Sequence, residues 1–335
     1  MKAAAGARPI VMLTNPIHPE PHAALARHAE VRTAPATDPL TLSHCAADAD
    51  VIIVRAPLPA EALSGAPRLR GVVRHGAGLD MIPIEAASQL GIAVANVPKV
   101  NALSVAEYAI GQMLALAHRL RRIDTTLRTQ GWDPARRLAD QRIEVAGRTV
   151  GIVGMGAIGL EVARICREGL RMQVLGTRRS ASPMPSFVTA VALDELFTRS
   201  DFVVLACPLD DSTRGLVGRA LLARMKPGAF LINVSRGPVV NEAELVQALR
   251  NGPLGGAALD VFEQQPLPAS SPLLQMPHVI LSAHLAGITE DSMRRMGQGA
   301  VEQTLQLLAG ELPVHFVNTE AAAAIRARLA FLGSA

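Results

Sequence analysis

Three glycines, Gly154, Gly156 and Gly159, stand at the spacing G-x-G-x-x-G within Arg148-Thr-Val-Gly-Ile-Val-Gly-Met-Gly-Ala-Ile-Gly159. An apolar run leads straight into them, and a helical pattern over Leu160–Glu168 follows. A bare glycine pattern says little, but a strand–turn–helix context around it is what phosphate binding needs. Gly154 permits the tight turn. Gly156 lets the backbone of Met155, Ala157 and Ile158 approach a pyrophosphate, and Gly159 lets the helix pack closely on the strand. The helix start offers free N–H groups and the positive end of its dipole to the phosphates. The plain alternative is a tight turn with no ligand.

The next apolar run, Met172-Gln-Val-Leu-Gly-Thr177, ends in Arg178-Arg179-Ser180. In a dinucleotide site this is where the adenosine ribose lies, and an acid here accepts from its 2′-hydroxyl. No acid occurs between Glu168 and Asp194. Two arginines at the strand end suit a 2′-phosphate through charge-assisted bonds. The expectation is a preference for NADP, with NAD possible; the alternative is two solvated arginines in a loop.

A second stretch poses a question of proton chemistry. In Asp260-Val-Phe-Glu-Gln-Gln-Pro-Leu-Pro268 the single carboxylate after the leading aspartate is Glu263, and the residue before the first proline is Gln265. If this loop faces the histidine of Ser282-Ala-His284-Leu-Ala-Gly287, that histidine is paired with either an acid or an amide.

These groups need a scaffold, and the bulk properties bound it. The chain has 335 residues, more than one core usually spans, so two domains are expected. Apolar residues make up 49% and charged residues 19%, a globular balance. With aromatics at 3%, the core must be built from Ala, Leu, Val and Ile. Net charge is +4, carried almost wholly by arginine, with lysine only at Lys2, Lys99 and Lys226. The basic residues are scattered, whereas nucleic-acid readers show a clustered stripe; a small anionic substrate suits them better. Cys45, Cys166 and Cys207 have neither disulfide nor zinc spacing, so no metal is expected and a reduced, cytoplasmic setting is. The opening MKAAAGARPIVML lacks an apolar leader with a cleavage site. The most apolar helix candidate, Leu103–Leu120, is interrupted by Glu107, Gln112, His118 and Arg119, so no membrane span is expected.

Short apolar runs alternate with helical patterns, the α/β signature. Strands are predicted at Ile10–Leu13, Val51–Val54, Gly71–Arg74 and Ala93–Ala95, then at Thr149–Val153, Gln173–Leu175, Phe202–Leu205, Phe230–Asn233, Gly256–Leu259 and Val279–Leu281. One long helix is predicted from Ser104 towards Leu127, and a surface loop over Arg179–Phe187. The pattern reads as two doubly wound parallel units, the second inserted in the first, with hinges near Asn96–Ser104 and Leu281–Glu290.

Several motifs in order then carry a resemblance: Arg74-His-Gly-Ala-Gly-Leu-Asp80, Asn101-Ala-Leu-Ser-Val-Ala-Glu107, the glycine turn, Cys207-Pro-Leu with Thr213, Lys226-Pro-Gly-Ala-Phe-Leu-Ile-Asn-Val-Ser-Arg236-Gly, Ala258-Leu-Asp260-Val-Phe and His284-Leu-Ala-Gly287. From about Val51 to Phe316 the chain resembles the D-isomer-specific 2-hydroxyacid dehydrogenases. The resemblance implies an α/β fold of two Rossmann-like domains, a cofactor domain (101–285) inserted in a flavodoxin-like substrate domain (1–100 and 286–335), with the active site in the cleft. It implies a homodimer built largely by the cofactor domain, and reversible hydride transfer between a nicotinamide and C2 of a small 2-oxo or 2-hydroxy acid, glyoxylate or hydroxypyruvate among the candidates.

By that resemblance Arg236 binds the substrate carboxylate and carbonyl, a task its planar fork suits. His284 is the acid/base that serves the carbonyl oxygen, and Asp260 holds the nicotinamide carboxamide. Thr177, Arg178, Arg179, Cys207, Pro208, Thr213, Val234 and Gly287 complete the cofactor set. In the substrate domain Gly76, Ala77 and Gly78 supply backbone N–H groups to the carboxylate. Arg55 reaches a charged substrate tail or lies in a solvent-facing loop, and Asn101 steadies the hinge or contacts substrate.

One departure matters. The family's glutamate partner of the histidine falls at Gln265. A carboxylate beside an imidazole raises its pKa; an amide orients the ring without charge. The expectation is a histidine that gives up its proton more readily, so reduction begins to lose rate at a lower pH than in acid-paired relatives. A register shift bringing Glu263 to the histidine is the structural alternative. Formate dehydrogenases of the same superfamily pair histidine with glutamine, which makes formate oxidation an alternative function. Corepressor-like nucleotide sensing is another. A second departure, Ala206 where many members have histidine, carries little.

Overall fold

The computed structural model describes residues 8–179 and 183–334. Residues 1–7, residues 180–182 within the predicted Arg179–Phe187 loop, and residue 335 lie outside the described residues. The chain divides into two compact units, one up to Asn101 and from Thr289 onward, the other Ala102–Ile288; the expected divisions were 100/101 and 285/286.

The first unit carries a five-stranded sheet of β1 (Ile10–Leu13), β2 (Glu30–Thr33), β3 (Val51–Val54), β4 (Gly71–Arg74) and β5 (Ala93–Ala95), in the order β2-β1-β3-β4-β5. Every pairing is parallel. This is the flavodoxin-like order. Val51-Ile-Ile-Val54 is buried along its whole length, as expected of a central parallel strand covered on both faces. β2, Glu-Val-Arg-Thr, is missing from the predicted strands because it is an exposed edge without an apolar run.

The second unit carries seven parallel strands, β6 (Thr149–Val153), β7 (Gln173–Thr177), β8 (Thr189–Ala190), β9 (Phe202–Leu205), β10 (Phe230–Asn233), β11 (Gly256–Leu259) and β12 (Val279–Leu281), in the order β12-β11-β10-β9-β6-β7-β8. The strand β7 runs two residues past its predicted end, and the two-residue edge β8 was not foreseen. The order reverses between β6 and β9, which makes their carboxyl ends the topological switch point where such sheets bind ligands. The turns leaving β6, β7, β9, β10, β11 and β12 carry Gly154, Arg178, Cys207, Arg236, Asp260 and His284. The sheet is therefore a common platform for all the candidate groups of this unit.

The single helix predicted from Ser104 is two helices, Ala102–Ala117 and Leu120–Gln130. Arg119 breaks them with φ 51°, a left-handed conformation costing a non-glycine residue about 1–2 kcal/mol. It is held by Arg119 Nε donating to the Gln141 carbonyl at 3.0 Å, and no glycine or proline marks the break in the sequence. The second helix buries none of its residues; Leu120, Leu127 and the neighbouring Trp132 stand exposed, the tryptophan at 71%. Among the described residues no helix is long and apolar enough to cross a membrane, and no group of three or more His, Cys, Asp or Glu side chains is placed to hold a metal.

Candidate active site

The glycine turn is built by close approach. The Gly154 N–H donates to the Thr177 carbonyl at 2.9 Å, tying the turn to the end of β7. Gly154 has φ 99°, and a Cβ there would lie 2.5 Å from the Cys207 backbone nitrogen, so only glycine fits beneath the β9 loop. Gly159 packs against the Gly154 carbonyl, while Met155 is buried under β7. On the other side, a Cβ added at Gly156 meets nothing within 4 Å. The helix Ala157–Arg164, starting there, has no side-chain cap. An open backbone cradle at an uncapped helix start is what a diphosphate needs, so these residues fit a dinucleotide.

At the end of β7, Arg178 donates to the Met155 carbonyl at 3.4 Å and to the Pro183 carbonyl. Arg179 is engaged elsewhere: its Nη2 meets Asp210 Oδ2 at 2.6 Å, and its Nη1 donates to Ser212 Oγ at 2.6 Å. Asp210 comes from the β9 loop and was not anticipated. The acid-free ribose end read from the sequence is therefore only locally acid-free. In the same loop, Cys207 is buried, which pushes its thiol pKa up. Thr213 is also buried; its hydroxyl donates to the Pro208 carbonyl at 2.8 Å and accepts from Asp210 N at 2.8 Å. Thr213 thus staples the turn from within. Val234, buried, follows β10 and donates its N–H to the Leu205 carbonyl at 3.2 Å.

The question posed by the Asp260–Pro268 loop is answered by one distance. His284 Nδ1 lies 3.0 Å from Gln265 Oε1, and Gln265 Nε2 turns to the Phe262 carbonyl at 3.4 Å. The amide oxygen faces the ring, so Nδ1 carries the proton and donates. The register alternative fails: Glu263 Oε1 accepts from Glu242 N at 3.0 Å, while Glu263 N donates to Glu242 Oε2 at 3.2 Å. The glutamate caps the helix Glu242–Asn251 instead of meeting the histidine.

Asp260 organises the histidine's backbone. Only 2% exposed, it accepts from Ser282 Oγ (2.7 Å) and Leu285 N (2.8 Å) through Oδ1, and from Ala286 N (2.9 Å) through Oδ2. Its carbonyl accepts from His284 N at 2.8 Å, which holds His284 at φ 53°. The Tyr108 hydroxyl bonds Ser282 Oγ; since Ser282 donates onward to Asp260, tyrosine is the donor. Gly287 follows at the end of this loop, half-buried. The Tyr108–Ser282–Asp260 chain was missed, because its members are far apart in sequence and carry no motif of their own.

Arg236 leaves β10 through a braced turn. Asn233 Oδ1 accepts from Ser235 N and Oγ at 3.0 and 2.7 Å, and Asn233 Nδ2 donates to the Arg236 carbonyl at 3.2 Å. Arg236 Nη1 donates to the Ser235 carbonyl at 2.8 Å. At the next residue, Gly237, a Cβ would fall 1.8 Å from the Phe262 carbonyl oxygen. The arginine's turn and the glutamine's loop are therefore in backbone contact, which only glycine allows.

The first unit presents its own candidates. The Gly76 N–H donates to the Arg74 carbonyl at 2.9 Å. The N–H groups of Ala77 and Gly78 meet no acceptor among the described residues. Arg74 Nε to the Gly78 carbonyl (3.0 Å) and Asn96 Nδ2 to the Ala77 carbonyl (2.8 Å) hold this turn, roles the sequence did not disclose. Arg55 is half-buried, which lowers its pKa. It bonds the Pro16 carbonyl, and among the described residues no carboxylate pairs with it. His75 is 2% exposed; burial first, then Arg55 and Arg74, bring its pKa down to about 3. Asn101, half-buried, ends this unit's first segment.

The family model described as "D-isomer specific 2-hydroxyacid dehydrogenase, NAD binding domain" matches residues 110–286. The chain belongs to the D-isomer specific 2-hydroxyacid dehydrogenases. A glyoxylate reductase of Korarchaeum cryptofilum is 38% identical to this dehydrogenase over 277 residues, 82% of this chain and 83% of that one. A D-3-phosphoglycerate dehydrogenase of Methanocaldococcus jannaschii is 33% identical over 92% of this chain, which spans only 59% of that relative's length. Among solved structures, an NADPH-dependent glyoxylate/hydroxypyruvate reductase of Sinorhizobium meliloti, in complex with NADP and malonate, aligns with TM-score 0.80 and 29% identity over 93% of this chain and 97% of its own. The dehydrogenase is an oxidoreductase acting on 2-hydroxy acids with a nicotinamide cofactor.

Proposed function

We propose that the protein is an NADPH-preferring reductase of a small 2-oxo acid, with glyoxylate and hydroxypyruvate as the first candidates. The observation that carries the chemistry is the 3.0 Å bond from His284 Nδ1 to Gln265 Oε1. It orients the ring and leaves Nε2 as the proton donor for the substrate carbonyl oxygen. The nicotinamide, when bound, supplies or accepts the hydride at substrate C2. Arg236 binds the substrate carboxylate and polarises the carbonyl. Asp260 fixes the histidine's loop, and its remaining lone pair, on Oδ2, is assigned to the nicotinamide carboxamide. The open turn at Gly156 and the start of the helix Ala157–Arg164 hold the diphosphate. In the first unit, Arg55 and the free N–H groups of Ala77 and Gly78 carry the substrate-binding part of the reading.

NADP preference rests on Arg178 and Arg179 at the end of β7. The NADP-bound relative from Sinorhizobium meliloti supports it. A homodimer is proposed from the exposed Leu120, Leu127 and Trp132, apolar side chains that a second copy would cover; sedimentation of wild type and Trp132→Glu tests it.

The glutamine partner favours one second reading, oxidation of formate, in which no proton has to leave the substrate. Initial rates of NADPH and NADH oxidation, side by side, with glyoxylate, hydroxypyruvate, pyruvate and a bulkier 2-oxo acid test the proposal; formate with NAD⁺ tests the rival. Turnover of the small 2-oxo acids with NADPH supports the reductase. Formate turnover alone replaces it, and no turnover with any of them points to a nucleotide-sensing protein.

A further inference from the structure

The Arg179–Asp210 pair joins two loops of the second unit that the proposed reaction does not need joined. Arg179 addresses Asp210 through both terminal nitrogens, at 2.6 and 3.3 Å, and Ser212 Oγ at 2.6 Å. The acidic side of this contact is built independently of the arginine. Asp210 Oδ1 accepts from Ser212 N at 2.9 Å and from Ser212 Oγ at 2.7 Å, while Thr213 Oγ1 takes the Asp210 N–H. Two carboxylate oxygens and a hydroxyl, delivered by the loop after β9 and facing the guanidinium fork at the end of β7, offer that fork anionic acceptors of the kind a phosphate monoester would bring.

We propose that Asp210 is a specificity-determining residue: its carboxylate occupies Arg179 as a built-in anion and competes with the 2′-phosphate of NADP(H). This rests on the reading of Arg179 as the 2′-phosphate reader. Each Nη has a second N–H to offer, but the Asp210 carboxylate neutralises the fork and repels a second anion beside it, so it opposes phosphate binding at Arg179. The Arg179 side chain is 65% exposed and that of Asp210 37%; such a pair is weak in water and readily exchanged. With a 2′-hydroxyl in place of the phosphate, Arg179 stays neutralised by Asp210 and NAD(H) does not meet a bare cation. The carboxylate thereby narrows the preference for NADP(H) that two arginines alone would set.

The test is calorimetric binding of adenosine 2′,5′-bisphosphate and of 5′-AMP to the intact protein, as wild type, Asp210→Asn, Arg179→Ala and the double variant. Asparagine keeps the Oδ1 acceptor on which Ser212 depends. The expected result is bisphosphate binding about two- to fivefold tighter in Asp210→Asn, the scale of an exposed pair's coupling, with the ratio of bisphosphate to AMP affinity rising. The gain shrinks as salt is added and vanishes on the Arg179→Ala background. Unchanged or weaker bisphosphate binding in Asp210→Asn, while Arg179→Ala collapses the ratio, overturns the competition and leaves the 2′-phosphate reading standing. A ratio untouched by Arg179→Ala overturns both.

Discussion

Replacing Gln265 with glutamate sets a carboxylate where an amide oxygen now lies 3.0 Å from His284 Nδ1. The two side chains are nearly isosteric, so charge is the main change. An opposite charge at this distance raises an imidazole pKa by about 1–3 units. Both groups are partly exposed, which favours the low end, about one unit or about 1.4 kcal/mol. The sign follows from the reaction. Reduction needs the imidazolium as proton donor, so its rate is full below the histidine pKa and falls as pH rises through it. A raised pKa moves that falling limb of kcat/KM about one unit towards alkaline pH. In the oxidative direction the neutral imidazole is the working form, so its rising limb moves the same way and the rate near neutrality drops. The assay is kcat/KM for glyoxylate reduction from about pH 5.5 to about pH 9.5, with the reverse reaction on the same samples. Limbs that stay in place in both directions refute the reasoning, because the imidazole would then be indifferent to its partner's charge.

Other outcomes follow from single contacts. His75 has a pKa near 3 in the folded protein against an ordinary value of 6.5, so the unfolded chain binds its proton first and stability falls as pH drops below about 6.5. The loss is about 2 kcal/mol by about pH 5, and His75→Leu should shrink the gap in urea midpoints between neutral and mildly acidic buffer. Asp260→Asn turns an amide nitrogen towards one of its backbone donors, Leu285 N or Ala286 N. We expect about 2–3 kcal/mol of lost stability together with a fall in kcat, read by denaturant melts and initial rates. Gly154→Ala drives a methyl to 2.5 Å from the Cys207 nitrogen. Loss of nicotinamide-nucleotide binding is expected by calorimetry, and unaltered affinity would contradict the close packing of the two loops.

Much of the scaffold was legible because its signals are local. Val51–Val54, Phe202–Leu205 and Phe230–Asn233 are short apolar runs between turn residues, and a parallel strand buried on both faces requires that pattern. The glycine turn was legible because strand, glycines and helix start are contiguous. The strand β2 escaped notice because an exposed edge strand imposes no apolar pattern, and the break at Arg119 because a carbonyl 22 positions away holds it.

The sequence by itself determined that two α/β units exist, that one carries a dinucleotide turn, and that the residue before Pro266 is an amide. It left open which side chain the histidine would meet. Tertiary structure decided that: Glu263 is drawn to the N–H of Glu242 and Gln265 to His284. It likewise brought Asp210 to Arg179 across 31 positions and Tyr108 to Ser282 across 174. The physical reason is the same in each case. Propensity and periodicity act between neighbours in the chain, whereas a hydrogen bond or ion pair depends only on where the packed strands deliver their loops.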